Sequence, residues 1–237
     1  MCIFAKYLGC KLEEENKTLK SNIDSLEYVI EGLEKELDKY EPNKDEEYWN
    51  NKYPKTTLTY KGRKMPGLDT VLDIDVRVFI NPNDKTIPTF DGKDDEIMLK
   101  SLIWVIENIT YTPDKTQNGL NEYWMFPYET LKTRKGDCED GAILLYNIAL
   151  KSGIPYWKLR LSAGNVKGGG HAYLTYLVEE TNRWVVVDWC YWENKLPMNQ
   201  RKDYKDEKNY YEVWFSWNQR YCFSKGLNTE TIKLFKL

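Results

Sequence analysis

A thiol, an imidazole and a carboxylate stand out along this chain: Cys138 in Gly136-Asp137-Cys138-Glu139-Asp140-Gly141, His171 after Gly168-Gly169-Gly170, and Asp188 after Trp184-Val185-Val186-Val187. By type they are the nucleophile, general base and orienting acid of a cysteine-dependent acyl transfer or amide hydrolysis. His171 is the only histidine among 237 residues, so any Cys–His mechanism in this chain must use it. The thiolate is the reactive form, and an unperturbed thiol with a pKa of about 8.5 is mostly protonated at neutral pH. A helix N-terminus and a nearby imidazolium favour the anion. The carboxylates of Asp137, Glu139 and Asp140 oppose it.

The elements that must position these residues are legible locally. From Ala142 the chain turns apolar through Ile143, Leu144, Leu145, Ile148 and Leu150, and Gly153 and Pro155 close the run. That pattern predicts a helix with Asp137 as N-cap and Cys138 in its first turn. Residues 171–178 read as a strand, Glu179–Arg183 as a turn and Trp184–Trp189 as the return strand. With a turn of two or four residues, His171 falls opposite Asp188 or one diagonal step away, and both side chains share a face.

Further elements flank this region. Thr56–Tyr60 reads as a strand or hairpin, and Thr70–Ile80 as a strand whose Leu72, Ile74, Val76, Val78 and Ile80 make one dry face. A helix capped by Asp94 or Asp95 is expected through Asn108, and Tyr210–Trp217 reads as a late strand closing the sheet and walling a groove.

The first forty residues follow another rule. Leu12, Leu19, Leu26, Leu33 and Tyr40 recur every seventh position, with Asn16, Ile23, Ile30 and Leu37 between them. This is a coiled-coil seam with Leu at d and mostly Ile or Leu at a, favouring two parallel strands through residues 10–40. Gly32 weakens the helix, and Val29 broadens the apolar stripe toward a helix that lies on its own domain. The expected organisation is a helix over 1–41, a polar linker over 42–55 and a main domain over 56–237.

Composition bounds the rest. The net charge is −3 from 34 basic and 37 acidic residues with no basic block, so nucleic acid is not an expected partner. No run approaches the roughly 18 apolar residues of a membrane helix. Met1–Cys10 lacks the pattern of a signal peptide. Five irregularly spaced cysteines suggest neither a zinc site nor a disulfide framework. The expectation is a reduced cytoplasmic protein, or one carried by a virion or mobile element, acting on a protein or peptide.

A helix-borne Cys followed by hairpin-borne His and Asp resembles the transglutaminase-like superfamily. Tyr123-Trp124, Pro127, Glu129-Thr130-Leu131 and the Cys138 segment look like the nucleophile motif of its bacterial cysteine proteinases, and Gly170-His171-Ala172 and Val187-Asp188 like its His and Asp motifs. The resemblance implies an α+β, papain-like core: a nucleophile helix packed on an antiparallel sheet. It implies Cys138 as nucleophile, His171 as general base and acid, and Asp188 as orienter, with no cofactor required. The Cys138 N–H is the natural oxyanion donor, and Trp124 and Gly170 are candidates for the oxyanion site or substrate groove. Some of these proteinases bind calcium through acids flanking the Cys, where this chain has Asp137 and Glu139. Three outcomes stay open: a peptidase or amidase, a transglutaminase in which an amine resolves the acyl-enzyme, and a non-catalytic interaction module.

Overall fold

The computed structural model describes residues 3–40, 44–64, 71–191, 195–224 and 232–233. Glu41-Pro42-Asn43, read as the stop of the first helix, and Thr70 lie outside these residues. The chain divides into two compact units, residues 1–44 and 45–237. The first holds one helix, α1 (Ile3–Tyr40).

The second unit opens with α2 (Glu46–Asn51), capped by Asp45, whose carboxylate accepts the Tyr48 N–H at 3.0 Å. This stretch reads as linker by its polarity, yet Trp49 and Asn50 are buried. One aromatic in a polar run suffices to dock a single helical turn. Two strands follow, β1 (Lys55–Thr56) and β2 (Leu58–Lys64), and β2 pairs antiparallel with β3 (Val71–Asp75).

The strand expected to run to Ile80 stops at Asp75. Its carboxylate accepts the Arg77 N–H at 2.9 Å and caps a 3-10 turn over Val76–Phe79. Val76 and Phe79, three apart, are buried, while Val78 is 47% exposed. The local period is therefore three rather than two, because Asp75 caps a turn more favourably than it continues a ladder.

Next come α3 (Asp94–Asn108), β4 (Thr110–Tyr111), α4 (Asp114–Gln117), α5 (Pro127–Thr133) and β5 (Lys135–Gly136). Neither Asp94 nor Asp95 caps α3. Lys93 holds the N-cap, Asp94 pairs with Lys158 at 2.7 Å, and Asp95 accepts the Tyr176 hydroxyl at 2.6 Å. Both acids are drawn to partners far away in sequence, as expected where a helix start abuts a sheet.

The core forms around α6 (Cys138–Lys151), whose residues from Glu139 to Ala149 are all buried. A helix apolar nearly all round must be enclosed. It packs on a six-stranded antiparallel sheet completed by β6 (Leu159–Val166), β7 (Gly169–Leu177), β8 (Trp184–Val187), β9 (Tyr210–Trp217) and β10 (Cys222–Phe223). The order is β1-β10-β9-β6-β7-β8, so the late strand β9 lies inside the sheet rather than at its edge. A short β11 (Ile232–Lys233) runs parallel to β2. The class is thus α+β with a buried helix on an antiparallel sheet. Among the described residues, no helix is long and apolar enough to cross a membrane.

Candidate active site

Cys138 is the first residue of α6, and Asp137 is its N-cap. At that position the backbone N–H has no intrahelical acceptor and points outward. The cap is tied in place by the Asp137 N–H, which donates to Asp140 Oδ2 at 3.3 Å. The thiol donates to Glu139 Oε2 at 3.1 Å, and the N–H of Ala172 on β7 is directed at the sulfur. The sulfur therefore lies against β7, one residue from His171.

The His–Asp relation follows from the hairpin. Val178 N–H bonds to the Arg183 carbonyl at 2.9 Å, which leaves a four-residue turn, and Leu174 pairs with Val187. Extending that register puts Asp188 opposite Tyr173 and one diagonal step from His171, on the same face. His171 Nε2 meets Asp188 Oδ2 at 2.7 Å, and both residues are only 4% exposed. The same oxygen accepts the Tyr210 hydroxyl at 2.7 Å, and Oδ1 accepts the Cys190 N–H at 2.9 Å. A buried carboxylate needs such donors. Since Nε2 is committed to Asp188, Nδ1 is the ring nitrogen left for proton exchange.

The residues after Asp188 close the site. Trp189 Nε1 donates to the Cys138 carbonyl at 3.1 Å. Its ring lies against Gly141, where a Cβ would come within 2.1 Å of Cε2, so only glycine admits this packing. The Tyr191 ring sits 4.5 Å from the His171 ring, and Tyr111 sits 5.9 Å from Trp189. Trp192 lies outside the described residues.

Asp137 and Glu139 lie beside the thiol, and three further carboxylates cluster with them. Oxygens of Asp114, Glu122 and Glu139 lie within 4.8 Å of one another, as do those of Asp114, Asp137 and Asp140. Burial keeps all five toward their neutral forms, and repulsion from neighbouring acids adds to it at Asp114, Glu122, Glu139 and Asp140. Asp114 is pushed up to about 7, Glu122 and Asp137 are raised, and Glu139 and Asp140 are held well above the usual carboxylate range. Burial also pushes the Cys138 thiol up, with Asp137 adding to it. Two of the carboxylate oxygens, Asp137 Oδ1 and Glu139 Oε1, are buried with no hydrogen-bond partner. Convergent carboxylates with orphaned oxygens fit a hard cation of the calcium type.

Of the two expected groove residues, Trp124 is placed elsewhere. Trp124 is 1% exposed, stacked between Tyr60 and Trp217, and its indole N–H is spent on Glu122 at 2.9 Å, so it is neither oxyanion donor nor groove wall. Its apolar bulk made it core. Gly170 is exposed beside His171, and a Cβ there would touch the Trp214 ring at 2.8 Å. Sequence reasoning missed Tyr210, Trp189, Asp114 and Glu122 as neighbours of the site. Their partners among the candidate residues and the flanking acids are 17 to 51 residues away, and no local pattern marks such pairs.

Residues 89–189 match the model of the transglutaminase-like superfamily core, a stretch that holds α3, α6, the hairpin and all three candidate residues. No curated protein sequence matches the chain. Among solved structures, Legionella pneumophila LapG after EGTA treatment is similar at 19% identity over 56% of this chain and 68% of that one, with a TM-score of 0.46. Calcium-bound Legionella pneumophila LapG is similar at 18% identity over 59% and 74%, with a TM-score of 0.45.

Proposed function

We propose that the 45–237 unit is a cysteine-dependent hydrolase of peptide or other amide bonds, with Cys138 as nucleophile, His171 as general base and acid, and Asp188 as orienter. The observation that carries this reading is the buried His171–Asp188 pair at 2.7 Å, set one residue from the backbone N–H that faces the Cys138 sulfur. His171 takes the thiol proton, and the sulfur adds to the substrate carbonyl. The developing oxyanion is met by the Cys138 N–H. Collapse expels the amine, which leaves with the proton from His171, and an acyl-thioester remains. Water, deprotonated by His171, then releases the acid and restores the thiol.

The reading includes a hard cation held by Asp114, Glu122, Asp137 and Glu139. It would neutralise the carboxylates that oppose the thiolate. Asp137 and Glu139 flank the nucleophile, and Asp114 and Glu122 complete an oxygen set that two acids alone cannot supply.

The test is alkylation of the full chain by iodoacetamide, read residue by residue. Cys138 is expected to react faster than the buried Cys222, and His171→Ala to slow that reaction roughly 10-fold or more. Equal rates that ignore the substitution would overturn the enzymatic reading. A glutamine-containing peptide supplied with a free amine then separates outcomes: cleavage supports hydrolysis, and amine incorporation replaces it with acyl transfer.

A further inference from the structure

One face of α1 carries an apolar seam open to solvent. Leu12, Leu19, Ile23, Leu26, Ile30 and Leu33 follow one another along it, each between 53% and 64% exposed. An isolated helix owes little of its stability to propensity and most to packing such a face. We propose that a second copy of this chain covers the seam, forming a parallel, in-register, two-stranded coiled coil over residues 12–33.

Three features select that occupant. Asn16 is exposed at an a position within the seam. In a parallel, in-register pair its amide meets the same amide of the other copy. In an antiparallel pair, or against a foreign apolar helix, it is buried opposite hydrocarbon. The remaining a positions, Ile23 and Ile30, are β-branched and the d positions are Leu, a choice that favours two strands. Finally, Glu15 at g and Lys20 at the following e carry opposite charges, which meet between copies only in the parallel arrangement.

The rest of the helix keeps its awkward residues off this seam. Gly32 falls at c, where a Cβ would meet nothing within 4 Å. Thr18 and Ser25, also at c, turn their hydroxyls back to the carbonyls of Glu14 and Ser21, each at 2.9 Å. Tyr28, 79% exposed, sits at f on the outer side.

The experiment is multi-angle light scattering on the full chain across a concentration series. A mass of twice 28.2 kDa is expected. Ile23→Asp with Leu26→Asp should return the monomer mass while leaving the melting temperature of the 45–237 unit and the alkylation rate of Cys138 unchanged. For orientation, Asn16→Cys in a Cys2→Ser/Cys10→Ser background, treated with oxidised glutathione, should give a disulfide-linked dimer on a non-reducing gel. A monomer at every concentration overturns the proposal, as does a dimer that survives the seam substitutions. A dimer that fails to cross-link overturns the parallel register. A monomer whose 45–237 unit melts earlier in the seam variant shows the seam packed on its own chain instead, and also overturns it.

Discussion

At the scale of single residues, Asp188 is the most constrained group in the site. Both of its oxygens act as acceptors, Oδ2 for His171 and Tyr210 and Oδ1 for the Cys190 N–H. Asp188→Asn must turn an NH2 group toward at least one donor, and it no longer supports the imidazolium. We expect kcat/KM on an amide substrate to fall by roughly 10²–10⁴. Unfolding should also cost about 1–3 kcal/mol less, since a buried donor is left unpaired. Tyr210→Phe is milder because it removes one of two donors from Oδ2 and leaves the His171 contact. A loss of about 1 kcal/mol in stability is expected. A lower kcat with an unchanged KM would mark Tyr210 as a positioning residue, whereas a fall in stability alone would make it structural.

At the scale of elements, the nucleophile helix and the residue after Asp188 are locked together. Trp189 holds the Cys138 carbonyl through its indole and rests its ring on Gly141. Gly141→Ala introduces a methyl where the ring already sits. We expect a loss of about 1–3 kcal/mol in a urea melt, the usual cost of overpacking, together with lost catalysis as Cys138 and His171 are pushed apart. A stable and fully active Gly141→Ala protein would mean that Trp189 does not position the helix. β6 needs a similar allowance beside His171. Gly164 pairs with His171, and a Cβ there would come within 1.9 Å of the Glu212 carbonyl across a bulge in the β6–β9 ladder.

At the scale of the whole molecule, the buried acids make folding depend on pH. Asp114, pushed up to about 7, and its raised neighbours prefer their neutral forms in the folded state, while unfolded carboxyls titrate near 4. The folded state therefore binds more protons between about pH 4 and 7, so stability falls as pH rises through that window. In EGTA the melting temperature is expected to be higher at pH 5.5 than at pH 7.5, and Asp114→Asn should flatten the difference. Added calcium should raise the melting temperature more at pH 7.5 than at 5.5, because protons and cation compete for the same oxygens. A melting temperature that ignores calcium at both values would remove the cation from the reading.

Much of this was legible in the linear sequence. The apolar run after Cys138, with Asp137 before it, specified a capped helix because helix period and cap chemistry are local. Period-two alternation with a turn of two or four residues placed His171 and Asp188 on one face, and the structure selected the four-residue turn. Where local signals competed, the reading failed: alternation carried the β3 strand past Asp75, although that side chain caps a turn. Polarity hid α2, which docks through Trp49. Tertiary structure alone decided that Trp124 is core, that Tyr210 and Trp189 brace the candidate triad, and that Asp114 and Glu122 join the acids beside Cys138. The physical reason is common to all of these. Periodicity and capping act within a few residues, whereas burial and charge convergence depend on which distant segments the fold brings together.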